Sequence, residues 1–437
     1  MSPSDNNPDS KKWAATVHHA SLSDVGMRRA INQDSMESIP AESRDSWEKF
    51  GHLFLVADGM GAHAAGERAS ELAVELIPQN YLKYNDQTPA EALHKAIVEA
   101  NSDIFRRGQA NIEFRSMGTT CSVLTLLPEG AVVAHVGDSR VYQLHGETLY
   151  QLTFDHSLVW EMQAAGEVTD ETARSGVIPK NVITRSLGPN SSVEVDLEGP
   201  FPVHKGDRYL LCSDGLSGQV TDEEIGAILR CLAPEDAAQL FVDLSNLRGG
   251  PDNITAIVVD VTEEEIVTGA QGGIVVRRSG SKAAFSPALG IVAGICLLLA
   301  VVFWFLQLTP IAIVAGVLAI IAVATGIAQI AMPSGSSASQ TSRYGNGPYR
   351  QYKASASKPL FEYLAGTLKS LREAAQENKW VVDWKKVDKH FSKACSLADK
   401  GEVDEALRIQ SKVIIYLMEQ IRRQRGSDNA SDSAVDL

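Results

Sequence analysis

At 437 residues the chain is too long for one ordinary domain, so two or three units are expected. A formal net charge of −14, with no dense Lys/Arg block to offset it, argues against nucleic acid as the main partner. The five cysteines (Cys121, Cys212, Cys231, Cys296, Cys395) are scattered without a CxxC pair, which favours a reduced compartment over a disulfide framework and argues against a sulfur-ligated metal.

The opening MSPSDNNPDSKK is polar and lacks an apolar core, so residues 1–14 read as a disordered tail and not as a secretory signal. From about residue 15 to 262, short β-rich runs alternate with amphipathic helical runs. Strands are predicted at 51–57, 119–127, 131–136, 141–144, 208–212 and 253–260, rich in Val, Leu, Ile, Thr and aromatics and mostly ended by Gly, Asp or Pro. Helices are predicted at 67–84, 89–107, 158–165, 222–232 and 234–248 from apolar spacing of three and four. Thr88-Pro89 supplies a cap and a first-turn proline for the second of these. Strands interrupted by sets of helices point to an α+β sandwich, not a doubly wound sheet.

Residues 263–284 read as a Gly/Arg/Ser-containing linker. No Lys, Arg, Asp or Glu occurs between Lys282 and Arg343, and within that stretch lie two apolar runs, 287–308 and 311–332, parted by Thr309-Pro310. Each is long enough for a ~30 Å hydrocarbon core, which takes about 20 helical residues. The expectation is a two-helix transmembrane hairpin within 285–332. A buried hairpin of a soluble domain is the alternative. Both flanks are basic, with Arg277, Arg278 and Lys282 before and Arg343, Arg350 and Lys353 after, which places both ends in the cytoplasm. Residues 333–358 read as a flexible tether. Helices at 360–377, 384–400 and 403–423 then form a small all-α domain over 359–425. Asp383 is its predicted N-cap and Gly401 a break, and SLADKGEVDEALRIQ has the look of a tetratricopeptide-type hairpin, with a plain three-helix bundle as the alternative because the unit does not repeat. Such a domain is a candidate docking site for a protein partner. Residues 426–437 read as a second disordered tail.

The informative acids lie at strand ends beside glycines. FLVADGMG carries Asp58, VAHVGDSR carries Asp138, YLLCSDGL carries Asp214, and GGPDNITAIVV opens with Asp252. Asp is disfavoured inside strands, and four placed this way can converge on one rim of a sheet. Converging carboxylates repel unless a cation sits among them, and oxygen ligands without His or Cys suit Mg²⁺ or Mn²⁺. A lone Asp-Gly is also an ordinary turn signal. The four together, with the motifs below, outweigh that reading.

SDVGMRRAINQD (23–34), VADGMGAHAAGE (56–67), MGTT (117–120), VGDSR (136–140), TFDHSLV (153–159), LCSDGL (211–216) and GPDN (250–253) together resemble the protein phosphatase 2C family, in that family's order and over about 15–261. The resemblance implies a four-layer αββα sandwich and a metal-dependent serine/threonine phosphatase using two Mn²⁺ or Mg²⁺ ions, with a looser third in bacterial members. It implies that Asp58 bridges two ions, that the Gly59 carbonyl ligates one, and that Asp214 and Asp252 complete the first site. Asp138 corresponds to the acid of the third ion, and Asp34 to one orienting water. Arg29 matches the phosphate-holding arginine, where a planar bidentate donor is suited. His63 matches the general acid, and Asn253 a residue steadying an acid or water. Gln33 stands where many relatives have Glu, and Ala62 where they have Gly.

The family further implies that 155–186 forms a variable flap contacting protein substrates. It implies phosphorylated proteins as substrates, opposing Ser/Thr kinases; the two apolar runs with both ends inside add the cytoplasmic face of a bacterial inner membrane as the expected location. Rival readings keep the fold as a pseudophosphatase, make the C-terminal helices a tethered scaffold, or turn the site to phosphorylated metabolites.

Overall fold

The computed structural model describes residues 13, 15–61, 65–169, 172–173, 178–179, 182–268, 298–299, 301–302, 306, 313 and 344–432, the last with side chains to 424. Two compact units are distinguished, Met1–Val276 with Arg343–Leu437, and Arg277–Ser342. Nearly all of the second lies outside the described residues, as do most of both expected membrane spans, most of the first tail and residues 433–437; the expected disordered tail at 426–437 is corrected in part, because the helix Val403–Asp432 runs into it. Among the described residues no helix is long and apolar enough to cross a membrane.

The first unit is a sandwich of two antiparallel sheets. One sheet runs in the order β1 (Val17–Asp24), β11 (Ile254–Val261), β10 (Arg208–Cys212), β7 (Arg140–His145), β8 (Thr148–Gln151), β12 (Arg350–Lys353). The other runs β2 (Asp34–Ile39), β3 (His52–Met60), β5 (Cys121–Leu127), β6 (Gly130–Val136), β9 (Asp196–Phe201), with the short β4 (Gly118–Thr119) beside the end of β3. Helix α1 (Arg44–Phe50) joins β2 to β3, and α2 (Ala65–Tyr81) and α3 (Pro89–Ala110) cover the second sheet. The latter starts as predicted, with Thr88 capping the Glu91 N–H and Pro89 in the first turn.

The alternation of side chains fixes the layers. On β3, Leu53, Leu55 and Ala57 pack toward α2 and α3, while Phe54 and Val56 enter the space between the sheets. On β10 and β11 the same rule sends Tyr209, Leu211, Ile257 and Val259 inward. Leu210, Cys212, Ala256 and Val258 face outward onto α6 (Asp222–Cys231) and α7 (Pro234–Leu247). Both faces are therefore buried, and these strands read as apolar runs with no polar face. Cys121, Cys212, Cys231 and Cys395 are free thiols. Among the described residues the domain also has α4 (Leu158–Ala164) and the single turn α5 (Asp214–Ser217).

Two expectations change. Residues 344–358, read as the end of a flexible tether, contain β12, which pairs antiparallel with β8 from Arg350↔Gln151 to Lys353↔Thr148. Helices α8 (Lys358–Glu377), α9 (Trp384–Asp399) and α10 (Val403–Asp432) do not form a core of their own alone. Leu364, Leu368, Leu371, Leu407, Ile414 and Leu417 share one apolar cluster with Ile225, Ala227, Leu240 and Phe241 of α6 and α7. The outer faces of those two helices are apolar and would otherwise meet water, and each leucine buried there contributes about 1.5–3 kcal/mol. Arg422–Asp243, Lys412–Asp236 and Arg230–Asp404 ion pairs rim the contact. The helical region is thus a further layer on the sandwich.

Candidate active site

Both sheets end at one rim, and the predicted acids converge there. β2 and β3 pair in a register that sets Asp34 opposite Asp58. Asp214 opens α5 directly after β10, Asp252 lies just before β11, and Asp138 sits in the turn from β6 to β7. Asp34 and Asp138 are buried, whereas Asp58, Asp214 and Asp252 stay partly open to solvent.

The rim is electrostatically unfavourable to itself. Desolvation, followed by the charges of Asp34, Asp214, Asp138 and Asp252, pushes the Asp58 carboxyl well above the usual range. Asp34 and Asp214 are raised to about 6, by desolvation first and by neighbouring carboxylates after it. Asp138 is raised to about 8 by desolvation and then by Asp214 and Asp155. Asp214 and Asp58 come within hydrogen-bonding reach of each other. Arg29 brings a positive charge directly onto the group: its Nη2 donates to Asp252 Oδ2 at 2.7 Å, with half its side chain exposed.

The family model described as protein phosphatase 2C matches residues 28–246, half of the chain. The chain belongs to the protein phosphatase 2C family. Protein phosphatase PhpP of Streptococcus pneumoniae is 36% identical over 249 residues, 56% of this chain and 97% of that protein. Serine/threonine phosphatase stp of Listeria monocytogenes is 38% identical over 249 residues, 56% of this chain and 96% of that one. A crystal structure of a bacterial serine phosphatase superposes with a TM-score of 0.50 at 27% identity, covering 57% of this chain and 99% of that chain. The protein is a serine/threonine phosphatase of the 2C type.

Phosphatases of the 2C family use Mn²⁺ or Mg²⁺, and the rim fits such ions. Asp34 Oδ2 accepts from Ser213 Oγ at 2.8 Å and Thr255 Oγ1 at 2.7 Å, but its Oδ1 is buried without a hydrogen-bond partner. Asp138 Oδ1 is likewise buried and unpartnered. An oxygen left so costs about 1–3 kcal/mol or more unless a donor or cation completes it. Hard oxygens that lack protein donors, among acids that resist ionising together, are what a divalent cation satisfies. By contrast, Asp207 at the opposite end of β10 is saturated by the Gln143 amide, the His204 N–H and the His145 ring. It is a structural carboxylate.

Several residues of this 2C-type site were not assigned roles from sequence. Thr120 Oγ1 accepts the Asp58 N–H at 2.8 Å, and the Thr120 N–H and the Thr119 hydroxyl both donate to the Asp58 carbonyl, so MGTT fixes the backbone that presents Asp58. His156 Nδ1 accepts the Gly137 N–H at 2.9 Å, and its own N–H donates to the Gly137 carbonyl, which ties the TFDHS segment to the turn of Asp138. Its Nε2 donates to Asp196 Oδ2. Motif position alone gives the presence of these residues, not their partners. Asn253, expected to steady an acid or water, donates its N–H to Asp252 Oδ1 at 2.9 Å, while its side chain accepts the Gln33 N–H and donates to the Val25 and Ile31 carbonyls. It braces the loop that presents Arg29. Gly59 is required sterically: a Cβ there would lie 2.2 Å from the Gly66 carbonyl oxygen and 2.5 Å from that of Gln33. His63 and Ala62 lie outside the described residues.

Proposed function

We propose that the acid rim hydrolyses phosphoserine and phosphothreonine in proteins with divalent cations held by Asp58, the Gly59 carbonyl, Asp214, Asp252 and, more loosely, Asp138. The observation that carries this reading is the pair of buried, unpartnered oxygens on Asp34 and Asp138 within a set of mutually repelling carboxylates. When bound, Mn²⁺ or Mg²⁺ lowers the pKa of water and screens the charge of the phosphate.

The chain's own groups do the rest. Asp34, fixed through one oxygen by Ser213 and Thr255, keeps the other to orient the attacking water. Arg29, drawn to the rim by Asp252, offers a planar fork to the two non-reacting phosphate oxygens, and the loop braced by Asn253 holds it there. His63 protonates the departing serine or threonine oxygen, a task worth about 10²–10⁴-fold. Attack by water requires no phosphoenzyme. The flap beginning at Asp155 receives the polypeptide around the phosphorylated residue, and the physiological opposition is to Ser/Thr kinases. Residues 285–332, free of charged side chains, anchor the chain in a membrane with both flanks in the cytoplasm, and the helical layer offers a surface to a protein partner.

The test is phosphate release by the full-length protein from p-nitrophenyl phosphate and from a phosphothreonine peptide, with Mn²⁺, Mg²⁺ or EDTA, beside Asp214→Asn. Release with metal that disappears in EDTA and in the variant is expected. Metal binding without release from either substrate would leave a pseudophosphatase.

A further inference from the structure

Residues 344–354 come after the apolar stretch in sequence, yet they are built against the base of the flap. The Tyr349 N–H donates to the Gln151 carbonyl at 2.9 Å, which begins the pairing of β12 with the β8 edge. The Tyr349 hydroxyl and the Gly347 N–H donate to the two oxygens of the buried Glu198, at 2.5 and 2.7 Å. The Tyr349 ring meets Phe154 nearly edge-on at 5.4 Å, and Phe154 in turn meets Trp160 of α4 at 5.6 Å. Arg350, counted from sequence as a basic membrane flank, lies over the Trp160 ring at 3.6 Å and reaches Gln163 one turn further along α4.

The contacts continue to the acid rim. Gln151 donates to Asp155 Oδ1, and Arg140 grips the same carboxylate through Nε and Nη2. His156, the next residue, is bonded to Gly137 beside Asp138. Edge protection of β8 would need only the backbone of β12. The Arg350 side chain adds contacts to the first helix of the flap, and the Tyr349 ring packs on Phe154, the residue from which the flap departs.

We propose that Tyr349 and Arg350 are positioning residues for the flap, so that selection of protein substrates is set by a segment lying beyond the apolar stretch. This rests on the reading that the flap receives the polypeptide of the substrate. Arg350 suits the task because a guanidinium can stack flat on Trp160 while donating in its own plane, which an ammonium does not do. The catalytic domain and the segment on the far side of residues 285–332 then act as one substrate-reading unit.

The experiment compares full-length wild type, Arg350→Ala, Arg350→Lys and Tyr349→Phe. Two readouts are taken: kcat and KM for p-nitrophenyl phosphate and for a phosphothreonine protein, and amide hydrogen exchange of residues 158–164. For Arg350→Ala, faster exchange in 158–164 and a KM for the phosphoprotein raised about 5–10-fold are expected, with p-nitrophenyl phosphate turnover unchanged within about twofold. Arg350→Lys should recover only part of this, and Tyr349→Phe should shift the same two readouts by less. Unchanged exchange and unchanged substrate ratio would overturn the clamp. Faster exchange with an unchanged ratio would overturn the proposal through the flap reading on which it rests. An equal fall on both substrates together with a lower melting temperature would reduce the segment to a structural strut and also overturn it.

Discussion

The acid rim and the edge where β12 joins the sandwich use charged groups in opposite ways. At the rim, Asp34, Asp58, Asp138 and Asp214 all resist ionisation, and two carboxylate oxygens are buried without partners. Around β12, Glu198 accepts from Tyr349 and Gly347, Arg350 covers Trp160, and Arg230 bridges Glu147 and Asp404. The first region is left unsatisfied by the protein and satisfied by what it binds. The second is satisfied within the chain and therefore holds shape. Local electrostatic conflict marks where chemistry occurs, while local agreement marks where position is set.

This contrast can be broken most sharply at Asp214. Asp214→Asn should lower metal-dependent turnover by about 10³-fold or more. In EDTA, however, it should leave the melting temperature equal or higher, because one repelling carboxylate is gone. A lower melting temperature in EDTA would mean that the rim is held by its acids and not strained by them. Arg29→Ala should cost about 10²-fold in kcat/KM, with Arg29→Lys recovering only part, since an ammonium lacks the bidentate fork. Equal rates for the two variants would show that Arg29 contributes charge alone.

A third test concerns stability away from the rim. His52 is buried and neutral, its Nδ1 accepting the Ala41 N–H, and burial lowers its pKa to about 4 from an ordinary 6.5. The unfolded chain therefore takes up a proton that the folded chain refuses. Stability from this group is complete above pH 6.5 and falls as pH drops toward 4, by about 1.4 kcal/mol per pH unit at most. Urea midpoints at pH 7.5 and 5 should differ less in His52→Gln than in wild type. An undiminished difference would assign the acid sensitivity to other groups.

The smallest effect is expected at the helical layer. Arg422 pairs with the fully buried Asp243, whose carboxyl burial raises to about 6 despite that partner. Removing the arginine leaves the acid without its counter-ion. Because Arg422 is itself partly exposed, Arg422→Ala should cost only about 1–2 kcal/mol. Hydrolysis of p-nitrophenyl phosphate should not change. A loss of turnover at full stability would instead link the helical layer to the rim.

Much of the rim was legible in sequence because its chemistry demands particular residues at fixed offsets. Asp58-Gly59, Gly137-Asp138, Asp214-Gly215 and Asp252-Asn253 each stand at a strand end whose apolar run is itself visible. The strands that sequence reading missed carry weaker signals. Asp34–Ile39 alternates polar residues on a half-exposed edge, Thr148–Gln151 has four residues, and Asp196–Phe201 contains Gly199-Pro200. RQYK gives no apolar period at all. It is a strand because the unpaired backbone of β8 recruits it.

By itself the sequence determined the sandwich, the family and the acids, because apolar strand runs, carboxylates at strand ends and the family's motifs are local patterns. Only the tertiary structure decided which oxygens go unpartnered, that Asn253 holds the Arg29 loop, and that 344–424 packs on the catalytic sandwich. Those outcomes depend on groups far apart in the chain, and no local spacing encodes the desolvation or the pairing that results when they meet.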